Sequence, residues 1–271
     1  MGKFTVDRFG QSGPAHSPLF EVPFQVKNAM HLLYRYEADS AEVEDILPEG
    51  CELKEGPTYV WVLVQSSEVY PMPYTGTYVF PECTFEGKDY LFEYFLMVTD
   101  DSAMAAGREF WGDSKKLAHC EITWQGNEVV TTCERPKGFS LVTTHFRVGQ
   151  QIPPEQIPEM PPGLCMKMIP SSVEGEPFQV LQYVEDATEL VPAVDASGRM
   201  EIYKGVGSVM MPNETDVWPI YKLKPIRMVD AYLIRGDMEF GYGKILKDFN
   251  AALLTRPVAR EQSMQERRGE A

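Results

Sequence analysis

Residues Gly107-Arg108-Glu109-Phe110-Trp111-Gly112-Asp113-Ser114-Lys115-Lys116-Leu117-Ala118 set two lysines side by side at the end of an aromatic segment punctuated by glycine. Adjacent ammonium groups repel, so each eases deprotonation of the other. A neutral lysine amine attacks ketones, and the iminium it forms draws electrons from a neighbouring carbon–carbon bond. On its own a lysine pair is more often a solvated turn than a catalytic group. Three neighbours favour the chemistry here. The pair follows an apolar run, Tyr90 to Val98, in which only Glu93 is charged; Gly107 and Gly112 stand at turns; and Phe110 and Trp111 add apolar bulk.

Outward from this stretch the pattern is mostly β. Tyr90 to Val98 reads as one long strand after a turn at Glu86–Asp89, and residues 120–124 and 128–133 form a hairpin around Gln125-Gly126-Asn127. Phe139 to Val148 is the next strand. Upstream, Met30 to Tyr36 and the unbroken apolar run Tyr59 to Val64 are strands, the second buried on both faces. Residues 66–82, rich in proline and tyrosine, read as an ordered aromatic loop. Asp39 to Leu47 is a short helix with Asp39 and Glu42 as a capping box. The proline-rich residues 150–163 predict a semi-rigid crossover on one domain. Strands resume at 178–184, 200–203 and 206–211, Met228 onward is strand or helix, and Tyr242 to Leu254 has helical spacing. The reading is an α+β, mostly β chain: an antiparallel barrel, closed or nearly so, with a few peripheral helices. Residues 1–16 read as an extended arm, 17–254 as a single domain and 255–271 as a polar tail.

The 271 residues include 40 acids and 25 bases, a formal net charge of −15, which disfavours nucleic acid and anionic membrane as partners. The five cysteines are scattered without a Cys-x-x-Cys pair, the wrong spacing for zinc or a disulfide framework, and the histidines show no metal-ligand spacing. No apolar run approaches a signal peptide or a membrane span. These features predict a cytoplasmic protein with no metal and no cofactor.

Gly107-Arg108-Glu109 followed by Lys115-Lys116-Leu117, together with Ser17-Pro18-Leu19-Phe20, Tyr34-Arg35, Leu47-Pro48-Glu49, Asp89-Tyr90-Leu91 and Met166-Lys167-Met168-Ile169-Pro170, resembles the acetoacetate decarboxylase family in order and spacing from about Ser17 to Phe249. The resemblance implies a cone-like β-barrel enclosing the reactive lysine, a homo-oligomer, and a small keto acid as substrate. It makes Lys115 the Schiff-base lysine and Lys116 the neighbour that lowers its pKa. Full burial can bring a lysine from about 10.4 to about 6, where the amine is the main species at neutral pH.

The family pattern is not reproduced throughout. Its tyrosine-threonine-glutamate reads Tyr74-Thr75-Gly76 here, which leaves Glu82 as the nearest acid. A second family glutamate falls at Trp61 or Val62, the arginine near the substrate carboxylate falls near Lys27, and tyrosine-proline before the lysines is Asp113-Ser114. The candidate set is therefore Lys115, Lys116 and Asp113 for catalysis, Lys27, Tyr74, Glu82, Met97 and Trp111 for substrate, and Arg108 with Glu109 as a structural ion pair. Expected is a carbon–carbon lyase that decarboxylates a β-keto acid larger or more apolar than acetoacetate. Two alternatives stand: an aldolase–dehydratase acting on an α-keto acid such as pyruvate, and a non-catalytic barrel binding a hydrophobic small molecule.

Overall fold

The computed structural model describes residues 22–68, 73–176 and 178–249. The expected arm at 1–16 and tail at 255–271 lie outside them. The strands are β1 (Phe24–Glu37), β2 (Cys51–Glu52), β3 (Tyr59–Ser67), β4 (Tyr74–Phe85), β5 (Lys88–Phe92), β6 (Phe95–Val98), β7 (Lys115–Leu117) and β8 (His119–Gln125). They continue as β9 (Glu128–Glu134), β10 (Ser140–Gln151), β11 (Gly163–Ile169), β12 (Val180–Glu185), β13 (Thr188–Pro192), β14 (Ile202–Met210), β15 (Arg227–Phe240) and β16 (Lys244–Asp248). Two short α-helices, α1 (Ser40–Ile46) and α2 (Asp101–Ala106), accompany them among the described residues. None is long and apolar enough to cross a membrane.

One sheet runs in the order β16-β12-β11-β5-β4-β3-β1-β15-β14-β10-β9-β8. Its pairs are antiparallel except β11 with β5 and β6 with β7. The end strands β16 and β8 do not pair, so the mostly β architecture matches expectation while the hydrogen-bonded ladder stays open instead of closing into a barrel. Both faces of the central strands are buried. Leu33, Leu63, Tyr78 and Leu96 lie on one side, and Leu32, Val62, Val79 and Met97 on the other. This is why Tyr59 to Val64 shows no polar alternation.

Helix α1 forms where expected, its Asp39 carboxylate accepting from the Ala41 N–H at 2.9 Å. No capping box closes, because Glu42 turns to Lys222 at 3.3 Å. Within the expected helix over Tyr242 to Leu254, Lys244–Asp248 form strand β16, antiparallel to β12, and residues 250–254 lie outside the described residues. Ile245 and Leu246 mimic helical spacing, but the open edge of β12 supplies ladder partners that spacing cannot reveal. The aromatic loop at 66–82 is mostly strand β4, and the two segments at 200–211 join in one strand, β14. The proline-rich crossover holds a single 3₁₀ turn, Pro154–Gln156, and delivers the chain to β11.

Candidate active site

The long strand expected at Tyr90 to Val98 is broken in two. Leu91 faces Glu82 and Phe95 faces Val79 along β4, so Phe92, Glu93 and Tyr94 lie opposite only Phe80 and Pro81. The extra residue makes a bulge, a device that re-aims a side chain. The lone charge of the apolar run is thereby buried, with Glu93 9% exposed. Its N–H donates to the Leu164 carbonyl at 3.0 Å, and Ser114 Oγ donates to the Glu93 and Tyr94 carbonyls at 3.0 and 2.8 Å. These bonds tie the bulge to the entry of β7.

Helix α2 starts at Asp100, whose carboxylate accepts from the Ala103 N–H at 2.9 Å, and runs into a π-helical turn, Gly107–Trp111. The Gly107 carbonyl accepts from the N–H groups of Gly112 at 2.9 Å and Asp113 at 3.1 Å. Gly112 closes the turn at φ 93°, where a side chain would be strained and would also strike the Lys167 backbone. From there β7 pairs in parallel with β6, Lys115 opposite Leu96. Strand alternation sends Lys115 inward, 7% exposed, and turns Lys116 outward.

Lys115 Nζ meets Asp113 Oδ2 at 2.7 Å on the wall of a cavity of about 160 Å³. Glu93 and Asp186 line the same chamber, and Cys165 Sγ donates to Asp113 Oδ1 at 3.5 Å. The other walls are largely apolar, among them Leu63, Phe80, Trp111 and Met238. Trp111 is fixed by an indole N–H bond to the Gly241 carbonyl at 3.0 Å. The end of the proline-rich crossover, Met160 to Gly163, borders the chamber too.

Burial pushes the Lys115 ammonium down, but the Asp113 carboxylate, Tyr74 and Glu93 oppose it, and Lys115 ends above the ordinary lysine value. This reverses the expected depression. Lys116 contributes nothing to it, because it faces the other side of β7. Lys116 is itself lowered by burial and by the charges of Arg108 and Arg135. Burial, then Asp113 and Asp186, drives Glu93 well above the ordinary carboxylate value and so favours its protonated form. Burial and Asp113 raise Asp186 to about 6. Burial and the nearby acids also raise the Cys165 thiol. Donor atoms of Glu93, Asp113 and Cys165 fall within 4.8 Å of one another, yet burial favours the protonated forms of Glu93 and Cys165, and Asp113 is bonded to Lys115. The arrangement suits proton transfer better than cation binding.

A carboxyl whose folded value lies above its unfolded one contributes stability at low pH that is lost as pH rises between the two. Asp186→Asn is accordingly expected to melt higher than the wild type at pH 7, with the gap shrinking towards pH 4. Thermal melts across that window check it.

Of the residues picked from sequence, Lys115, Asp113, Tyr74 and Trp111 meet in the chamber. The others do not. Lys27 is on the surface, paired with Asp237 at 2.7 Å. Glu82 shares a face of β4 with Tyr78 and Phe80, but Trp61 Nε1 donates to it at 2.7 Å and Arg35 and Lys54 neutralise it at 3.3 and 3.6 Å, outside the chamber. Met97 falls on the opposite face of β6 from Leu96. Arg108 and Glu109 are exposed and form no ion pair with each other; Arg108 Nη1 instead reaches the Lys115 carbonyl at 3.5 Å. Sequence reading passed over Glu93 as a site residue, although a single charge in an apolar run was its signal. Asp186 has no local signal, being carried in by the β12–β13 turn.

The acetoacetate decarboxylase family model matches residues 11–249. The chain belongs to the acetoacetate decarboxylase family. Family membership supports a decarboxylase-like lyase. Decarboxylase DEC1 of Cochliobolus heterostrophus is 25% identical over 74% of this chain and 79% of its own length. Acetoacetate decarboxylase 2 of Mesorhizobium japonicum is 25% identical over 92% of this chain and 93% of its own. Acetoacetate decarboxylase from Legionella pneumophila shares the fold with a TM-score of 0.73 at 19% identity, covering 92% of this chain and 98% of that one. The enzyme MppR, solved with pyruvate, has a TM-score of 0.66 at 15% identity, covering 89% and 95%.

Proposed function

We propose that this member of the acetoacetate decarboxylase family is a Schiff-base carbon–carbon lyase that decarboxylates a small β-keto acid on Lys115. The observation that carries this reading is the burial of the Lys115 amine on the wall of a largely apolar chamber beside the carboxyl groups of Asp113, Glu93 and Asp186. Substrate filling the chamber expels water, which disfavours the separated charges of the Lys115–Asp113 pair. The ammonium proton then passes to Asp113, and the freed amine attacks the ketone carbon. The carbonyl oxygen leaves as water, protonated by a neighbouring acid, and an iminium remains. The carbon–carbon bond to the carboxylate breaks, its electron pair enters the iminium, and CO2 departs. The enamine left behind takes a proton at carbon from Glu93, whose protonated form burial favours, and water hydrolyses the imine to ketone and amine. Once Asp113 has returned the ammonium proton to the departing oxygen, its carboxylate stabilises the iminium as it does the ammonium. A cavity of about 160 Å³ resembles apolar cavities that hold a benzene-sized guest, so the substrate is small, which narrows the larger acid anticipated from sequence.

The second reading keeps the imine and performs aldol or dehydration chemistry on an α-keto acid. Glu93 and Asp186 favour it, because loss of CO2 needs little acid–base help while loss of water needs both. The fold shared with MppR, whose structure holds pyruvate, agrees with it.

Borohydride added with a β-keto acid is expected to leave a reduced adduct on the wild type, seen by intact mass, and none on Lys115→Ala. CO2 release measured beside it separates the two reactions: an adduct with pyruvate but no CO2 from β-keto acids favours the second. An adduct on Lys115→Ala equal to the wild type's sinks both.

A further inference from the structure

One part of the chamber lining, formed by His31, Gln65, Tyr74 and Tyr78, is polar but uncharged. His31, Gln65 and Gly76 are cross-strand partners in one row over β1, β3 and β4. His31 is 1% exposed, and its Nε2 has no hydrogen-bond partner among the described residues. No acid balances it, and burial pushes its imidazole down to about 3, so it is neutral at pH 7. Gly76, where a side chain would point into the chamber, leaves room that the Tyr78 hydroxyl fills; a Cβ there would collide with it. That hydroxyl is buried and makes no well-formed hydrogen bond, although the Tyr74 hydroxyl, which accepts from Gln65 Nε2 at 2.6 Å, lies beside it. Buried polar atoms without partners are costly and rare in folded proteins. Two of them, His31 Nε2 and the Tyr78 hydroxyl, belong to residues that line this one chamber.

Lys115 is the chamber's one cation among the described residues, and Asp113 already occupies it. With Asp186 also acidic, a second ionised group on the ligand would find no counter-charge. A neutral oxygen would find donors and acceptors. We infer that the wall formed by His31 and Tyr78 is a specificity element for an uncharged oxygen, hydroxyl or keto, carried by the keto-acid substrate beyond its reacting ketone. This rests on the Lys115 reaction proposed above and narrows its substrate class. Neutral imidazole supplies both a donor and an acceptor, and the Tyr78 hydroxyl does the same, so either oxygen type is accommodated.

The test compares 3-oxohexanoate with 5-hydroxy-3-oxohexanoate, which differ by one oxygen. The wild type is expected to favour the hydroxylated acid about tenfold in kcat/KM, the scale of one well-made buried hydrogen bond. Tyr78→Phe and His31→Leu should each shrink that ratio towards one while keeping the borohydride adduct with 3-oxohexanoate. The ratio is taken within one variant, so a partial loss of folded protein does not change it. A wild-type ratio near one, or a ratio unmoved in both variants, overturns the inference while leaving Lys115 chemistry intact. No adduct with either acid on the wild type removes the reaction and the inference together.

Discussion

Asp113→Asn is expected to make the Lys115 amine reactive at lower pH while costing the protein about 3–5 kcal/mol, the usual penalty for stripping one partner from a buried ion pair. Burial alone pushes Lys115 down, and the Asp113 carboxylate is the foremost influence holding it up. With asparagine in place, burial prevails. In the wild type the raised lysine contributes stability that is fully present below the unfolded lysine value and is lost as pH rises through the folded one. In the variant the sign reverses: the ammonium is penalised at neutral pH, and the penalty fades as pH rises. Urea unfolding at pH 7 and pH 10 should show the variant far weaker at the lower pH and closer to the wild type at the higher. The rate of borohydride-trapped adduct formation against pH should rise earlier in the variant. A curve unmoved or moved to higher pH would mean that Asp113 does not control the amine.

The second large effect comes from a residue with no side chain. A Cβ at Gly107 would stand 2.6 Å from Lys115 Nζ and closer still to Asp113 Oδ2, so the ion pair must separate to admit it. Displacing a reacting group by about 1 Å can cost about 100-fold in rate. Gly107→Ala is expected to lose at least that in kcat, with far-ultraviolet circular dichroism unchanged, because φ here is an ordinary helical −59° and needs no glycine for its backbone. Full activity in this variant would show that the lysine–aspartate contact is not needed in turnover. Gly112 differs: its left-handed φ and its closeness to Lys167 predict loss of the fold around the turn as well.

How much of this was legible in the sequence depends on how local each signal is. Lys115, Asp113 and Trp111 lie within one short stretch, and their convergence needed only the turn glycines that flank them. The β content followed from apolar runs. What escaped was set by partners distant in the chain. Tyr242 to Leu254 has helical spacing, yet Lys244 to Asp248 within it is a strand because β12 offers an edge. Glu93 enters the chamber because β4 opposes its run with one residue too few. Lys116 looked like the electrostatic neighbour of Lys115 because adjacency in sequence was taken for adjacency in space, which a strand forbids. The chamber's lysine and its three carboxyls come from three separate places in the chain, and only one of those places announces itself.

The bulge at Glu93 has a consequence for the lysines themselves. The two are chemically identical, so nothing in their own structure says which should be the nucleophile. The choice is made by counting: β4 fixes β6, β6 fixes β7, and a shift of a single step along that chain of pairings would exchange the two amines between chamber and solvent. Deleting Ser114 would thus bring Lys116 opposite Leu96 and hand the buried position to its twin, leaving Asp113 to greet a different nitrogen.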